Sequence, residues 1–194
     1  MNETAGRVRI VDVKVLSDDW YVLKKTTFDY QRADGSWQRQ SRETYDRGNG
    51  ATLLLYEPAH RAVVLTRQFR LPAFVNGHHG MLIEAPGGLL EQASPEERIR
   101  AEVEEETGYR VQTVRKVYEA FMSPGSVTEK VFFFVAEYAA ATRVSKGGGI
   151  ASEGEDIEVL ELPFDEALAM IQRGEIVDGK TIMLLQYAAL HLFR

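Results

Sequence analysis

Residues 87–109 read GGLLEQASPEERIRAEVEEETGY, and the rest of the chain is organised around them. Gly87-Gly88 signals a turn. Ser94-Pro95 supplies an N-cap followed by proline at the first helical position, where a missing N–H costs nothing. Glu96 and Glu97 fall in a first turn whose free N–H groups favour negative charge, and Gly108 is the left-handed stop expected after a helix. The spacing predicts a helix between Ser94 and Gly108.

Within that helix Glu102, Glu105 and Glu106 stand three and four positions apart, so their carboxylates share a face and repel one another. A divalent cation among them would relieve that repulsion. Ligands that are all oxygen suit magnesium or manganese, and such an ion bridging phosphate oxygens is a common device of phosphoryl chemistry. Acidic helix faces are also often no more than solvated surface, and spacing alone does not separate the two readings.

Outside this stretch, composition sets bounds. The chain has 194 residues, 44% apolar and 27% charged, which fits one globular domain with an appendage and a sizeable core. The absence of cysteine removes disulfides, thiolate metal sites and a cysteine nucleophile together, and fits a cytoplasmic protein. No apolar run approaches the roughly 18 residues of a membrane span, and MNETAGRVRI lacks an apolar signal core. A net charge of −6 argues against nucleic-acid and anionic-membrane partners.

Residues 8–17, VRIVDVKVLS, alternate apolar and polar, WYVLKKTTFDY is rich in β-formers, and Asp34-Gly35 is a hairpin signal before a third strand. Roughly the first 48 residues therefore read as a small antiparallel sheet, too small to be stable alone. After Arg47-Gly48-Asn49-Gly50, the runs ATLLLYE and AVVLTRQFR are apolar throughout, as strands buried on both faces are. MLIEAP reads as a short strand, and residues 111–121 and 128–138 as two more. Gly147-Gly148-Gly149 opens a loop expected to be mobile, which carries Glu153 and Glu155 before the strand IEVLELPF. Asp165 is expected to cap one helix, and Asp178-Gly179-Lys180 precedes an apolar last one. Strands interspersed with helices predict an α/β or α+β sandwich.

Arginine forks are natural partners of a diphosphate, and Arg42, Arg47, Arg67 and Arg70 lie in or beside the early strands, though each could equally be a surface cation with a packed stem. Read alone, Trp20 is a core candidate.

The run Glu102-Val103-Glu104-Glu105-Glu106-Thr107-Gly108-Tyr109 resembles the second half of a Nudix box. In the first half, Gly88 to Glu102 is one residue shorter than usual, Ser94 holds the first glutamate's place and Ala101 the arginine's, with Arg100 the nearest substitute. The first 48 residues, YDRGNGATLLLY, RQFR, VNG, MSPGSVTE, GGG, EDIEVLELPF and GEIVDGKT extend the likeness to the GDP-mannose pyrophosphatase branch of the Nudix hydrolases, which also has a shortened box. The resemblance implies a Nudix α/β/α sandwich with a mixed sheet over residues 49–194. Residues 1–48 would form the small antiparallel sheet, serving dimerisation and substrate contacts in a domain-swapped homodimer.

Carried over residue by residue, it implies metal ligation by the carbonyl of Gly87 and by Glu102, Glu106 and Glu155. Magnesium is the implied ion, with manganese as a substitute. Glu105 would assist, Glu153 would act as general base, and Arg100 would orient the glutamates. Substrate contacts would fall on Trp20, Arg42, Glu43, Arg70, Glu129 and Lys180, with Arg47 and Arg67 as further partners of the diphosphate. Trp20 and Ser41 stand where the branch can have tyrosine and lysine. The implied activity is hydrolysis of a nucleotide sugar, GDP-mannose to GMP and mannose 1-phosphate, with ADP-ribose as the alternative substrate. A reading of another class is a nucleotide-sugar sensor that has lost catalysis, supported by Ser94 and Ala101.

Overall fold

The computed structural model describes residues 5–194, the side chains of Ala5 and Glu153 excepted. Two compact units divide the chain: residues up to Asn49 together with Phe121–Lys130, and Gly50–Ala120 together with Val131–Arg194.

The first unit is built on β1 (Val8–Asp18), β2 (Val22–Gln31) and β3 (Trp37–Asp46), an antiparallel sheet in that order. At the Asp34-Gly35 turn, Gly35 takes a φ of 84° and the Asp34 carboxylate accepts from the N–H and hydroxyl of Ser36. The apolar alternation of β1 slips by one residue after Ile10, and a bulge between Ile10 and Asp12 absorbs the slip. Val8, Ile10, Val13 and Val15 consequently stand opposite Tyr30, Phe28, Thr26 and Lys24, all on one face. Phe121–Lys130 joins through Tyr45, whose N–H donates to the Ser126 carbonyl at 2.7 Å and whose carbonyl accepts from Thr128 at 3.1 Å. The division expected after residue 48 takes no account of this segment, because a stretch returning from far downstream leaves no local mark in composition.

The second unit carries β4 (Gly50–Glu57), β5 (Ala62–Phe69), α1 (Leu71–Val75), β6 (Met81–Glu84), β7 (Gly87–Leu89) and α2 (Pro95–Thr107). After these come β8 (Arg115–Phe121), β9 (Lys130–Glu137), β10 (Glu158–Pro163), α3 (Phe164–Gln172) and α4 (Gly179–His191). The sheet is mixed, in the order β10-β5-β4-β9-β8, with β6 on β5 and β7 on β4; β4 runs parallel to β9 and antiparallel to β5 and β7. Leu53 and Leu55 of β4, Val64 of β5 and Phe134 of β9 pack with Ile99 and Val103 of α2. The period of two turns Leu54, Leu65 and Phe133 to the opposite face, where they are also fully buried. This is the mixed-sheet α/β sandwich expected.

β4 and β5 pair only over Leu55–Glu57 and Ala62–Val64, then part. β7 and β6 fill the wedge between them, β7 along Gly50–Thr52 and β6 along Thr66–Phe69. Two fully buried threonines seal it: Thr52 Oγ1 donates to the Pro86 carbonyl at 3.1 Å and Thr66 Oγ1 to the Glu84 carbonyl at 3.2 Å. The wedge thus delivers Gly87 and Gly88 to the middle of the sheet beside α2.

Three local expectations shift. Arg115, rather than residue 111, begins β8. α1 occupies Leu71–Val75, where no helix was expected. Asp165 is not a cap: Pro163 holds the N-cap position, and Asp165 in the first turn pairs with Arg61 at 2.9 Å. Ser94 does cap α2, in a reciprocal box with Glu97, and Gly108 ends it at φ 78°. Replacing Ser94 by alanine should lower stability by about 1 kcal/mol, measured by denaturant unfolding; an unchanged midpoint would mean the box carries no load.

Candidate active site

Glu102 and Glu106 lie one turn apart on α2 and are 6% and 2% exposed, although both are carboxylates. Burial pushes both pKa values up. Glu102, relieved in part by Arg98 and raised further by Glu105 and Glu155, reaches about 7. Glu106 rises well above its ordinary range, first through burial and then through Glu102 and Glu155, with Arg70 and the Gly87 N–H opposing. The three glutamates expected at a metal site, Glu102, Glu106 and Glu155, therefore repel one another across the fold. Gly88 makes the approach possible: a Cβ there would stand 1.8 Å from Glu102 Oε1.

The guanidinium that meets Glu102 is that of Arg98, not of Arg100, the residue expected to orient the glutamates. Arg98 donates to Glu102 at 2.6 Å and to the Leu89 carbonyl at 3.2 Å, and lies 3.7 Å from Glu105. Arg100 stands 3.7 Å from Glu96 instead. The reason is helical geometry, since residues two apart point away from each other while residues four apart meet. That spacing was the signal, visible in the sequence as Arg98, Glu102 and Glu105.

Glu155 reaches the site from far along the chain because its loop is fastened to α2. The helix ends with carbonyls that have no partner within it. The Glu105 and Glu106 carbonyls accept from Gly149 at 3.1 Å and Gly148 at 2.8 Å, and the Gly108 carbonyl accepts from Val144 at 2.8 Å. Gly147-Gly148-Gly149 is thus a close-packed join rather than slack: a Cβ at Gly147 would stand 2.4 Å from the Glu106 carbonyl oxygen. The Glu155 carboxylate accepts from the Ile150 N–H at 2.8 Å. The side chain of Glu153, the expected general base, lies outside the described residues.

On the other side of the wedge, Arg70 and Lys180 converge on Glu84, which is 4% exposed. Glu84 accepts from Arg70 Nε at 2.9 Å, and Arg70 Nη2 lies 2.7 Å and Lys180 Nζ 4.0 Å away. Glu84, a single carboxylate closing a four-residue strand, was not singled out in the sequence. Arg67 pairs with Glu158 across the β5–β10 ladder, at 2.8 Å through Nε.

In the first unit, Arg47 lies 3.5 Å from Glu129 and over the Tyr21 ring, so two expected substrate residues meet there. Trp20 is 82% exposed, which excludes the core reading. Arg42 and Glu43 are exposed on β3, Arg42 donating to the Ser41 carbonyl.

The donor set of Glu102, Glu106 and Glu155 is oxygen only and self-repelling, and it fits a hard divalent cation. Among the described residues no three His, Cys, Asp or Glu side chains already surround one point. Glu102 is turned toward Arg98 and Glu155 toward its own loop.

Comparison with known proteins covers most of the chain. Residues 7–45 match the family model described as the GDP-mannose pyrophosphatase NudK N-terminal domain, and residues 46–185 that of the NUDIX domain. A GDP-mannose pyrophosphatase of Pectobacterium atrosepticum is 58% identical over 182 residues, 93% of each chain. Those of Klebsiella pneumoniae and Yersinia pestis are 56% and 53% identical, over 93% and 96% of this chain and 90% and 94% of theirs.

The raised pKa of Glu102 has a thermodynamic sign. The unfolded chain ionises this group near 4.5 and the folded chain near 7, so metal-free stability falls as pH rises between those values. Glu102→Gln removes that loss. In chelator, the variant's melting temperature should rise relative to wild type between pH 5 and pH 8, by the equivalent of roughly 1–3 kcal/mol. A difference that stays flat over this range would refute the assignment.

Proposed function

The chain belongs to the Nudix family of pyrophosphohydrolases, and from that premise we propose that it hydrolyses GDP-mannose to GMP and mannose 1-phosphate. The substrate assignment is supported by relatives of 53–58% identity that carry the name GDP-mannose pyrophosphatase over nine-tenths of the chain. The observation that carries the mechanism is the pair of buried, mutually repelling carboxylates, Glu102 and Glu106, set against Gly87 and Gly88. Glu102, Glu106, Glu155 and the Gly87 carbonyl would hold magnesium, with manganese as a substitute and Glu105 assisting. Bound there, the ion would offset the diphosphate charge and lower the pKa of a water.

The remaining work falls to side chains. Arg70 and Lys180 meet the phosphate oxygens, and Arg98 keeps Glu102 and Glu105 in place from one and two turns away. Glu153 takes a proton as the water oxygen bonds to phosphorus and the bridging oxygen leaves with the other phosphate. Trp20, Arg42, Glu43, Arg47, Arg67 and Glu129 are proposed as further substrate contacts, Trp20 through its exposed ring face. The two box departures that favoured an inactive sensor have structural readings. Ser94 serves as the N-cap, and Arg98 supplies the guanidinium that Ala101 lacks.

We further propose a homodimer in the cytoplasm, formed through the N-terminal sheet, with residues 49–194 as the catalytic part. β1 is an edge strand exposed along all eleven residues, and Ile10, Val13 and Val15 on one face are 61%, 51% and 52% exposed. A long apolar edge of this kind is an association surface unless a partner covers it. The cysteine-free composition supports the cytoplasmic setting, and among the described residues no helix is long and apolar enough to cross a membrane.

With GDP-mannose, GDP-glucose, ADP-ribose and ADP-glucose assayed in magnesium, GDP-mannose should be turned over fastest; a preference for ADP-ribose would move the substrate. Glu106→Gln should abolish turnover while leaving the fold intact, and wild-type rates in that variant would overturn the mechanism. Ile10→Asp with Val13→Asp should convert the dimer to monomer in analytical ultracentrifugation, and an unaltered mass would place the interface elsewhere.

A further inference from the structure

We propose that Glu84 is a positioning residue for the reaction, setting the guanidinium of Arg70 and the ammonium of Lys180 in fixed relation to each other and to the carboxylate face of α2. The inference rests on the proposed function, which assigns both cations to the diphosphate.

The two cations come from separate elements. Arg70 follows the last residue of β5, and Lys180 sits in the first turn of α4. Neither element fixes the other, so a common reference is needed, and Glu84 at the end of β6 supplies it. Its backbone is clamped on both sides: the carbonyl accepts from Thr66 Oγ1, and the next N–H, of Ala85, donates to Thr181 Oγ1 at 2.6 Å. Thr181 in turn donates to Asp178, the N-cap of α4, and Asp178 accepts from Lys180 at 2.6 Å. Glu84 and Asp178 together balance Arg70 and Lys180, giving a set of four charges closed on itself.

Within this set Arg70 donates from Nε to Glu84 and its Nη2 lies 2.7 Å from the same carboxylate, while among the described residues Nη1 shows no hydrogen bond. A guanidinium held by one edge presents the other in a single orientation, which a free arginine would have to find at the cost of side-chain entropy. The charge of Arg70 also acts on Glu106, so the guanidinium lies near the candidate metal site.

Simple charge counting and positioning predict opposite results for Glu84→Gln. If Glu84 merely screened Arg70 and Lys180, its neutralisation would free positive charge and tighten substrate binding. If it positions them, kcat/KM should fall about 10- to 100-fold, with the magnesium half-saturation unchanged. The decisive measurement is a double-variant cycle on GDP-mannose with Glu84→Gln, Arg70→Ala and the pair. Positioning predicts that the losses do not multiply: the pair costs less than the product of the two single losses, and what it costs beyond Arg70→Ala is the share that runs through Lys180. Losses that multiply, or a lowered KM in Glu84→Gln, would overturn the inference.

Glu84→Asp retains the charge and withdraws it by one methylene. It should fold with an unchanged melting temperature and still lose rate, so a wild-type rate there also counts against positioning. If the wild-type protein hydrolyses another nucleotide sugar better, the cycle is run on that substrate and only the nucleobase or sugar assignment fails. If the wild type hydrolyses no nucleotide sugar, both readings fall together.

Discussion

The structure depends on bringing two carboxylates of one helix, Glu102 and Glu106, out of water with only backbone and the charges of Arg98 and Arg70 to offset the burial. Burying a carboxylate is unfavourable unless it is paired, bonded or neutralised. Here the fold answers with a glycine where a side chain would collide, an arginine one turn back, and a backbone N–H from the adjoining strand. None of these fully offsets the burial, and the raised pKa values record the remainder. Such an arrangement suits a cation, which is the ground on which the acidic face is proposed as a site rather than a surface.

That requirement explains the split in the sheet. β4 and β5 pair over only a few residues, and the wedge between them lets β6 and β7 carry Glu84, Gly87 and Gly88 into the interior from one short segment. Glu84, which holds the two cations, and Gly87, beside the carboxylate face of α2, are therefore three residues apart in the chain, with the Glu84 and Pro86 carbonyls between them tied by Thr66 and Thr52. A continuous β4–β5 ladder would have been better bonded, but it would have left Gly88 no route to Glu102.

Much of this was legible in the sequence where the signal was local. The helix from Ser94 to Gly108, the Asp34-Gly35 turn and the buried runs of β4 and β5 each follow from residue types within a few positions. Where the cause was distant, the sequence was silent. Phe121–Lys130 joins the N-terminal unit through hydrogen bonds to Tyr45, which no neighbouring residue announces. Glu84 looks like the polar end of a strand until Arg70 and Lys180 are seen to meet it. Arg98 is a different case, because its spacing from Glu102 and Glu105 was in plain view. The motif resemblance points to Arg100 instead, which the geometry of a helix sets against Glu96.

The same logic governs the loop after Val144. A helix C-terminus offers carbonyls in need of donors, and N–H groups between residues 144 and 149 answer, with Gly147 lying against the helix end where a Cβ would stand 2.4 Å from the Glu106 carbonyl oxygen. Glu155 is carried in by that contact rather than by an element of its own. Since the Glu105 and Glu106 carbonyls are the anchors, fraying the last turn of α2 would displace Glu155 together with Glu106. The last turn of α2 thus supports both Glu106 and the loop that carries Glu155, and Gly108 ends that turn in the left-handed conformation.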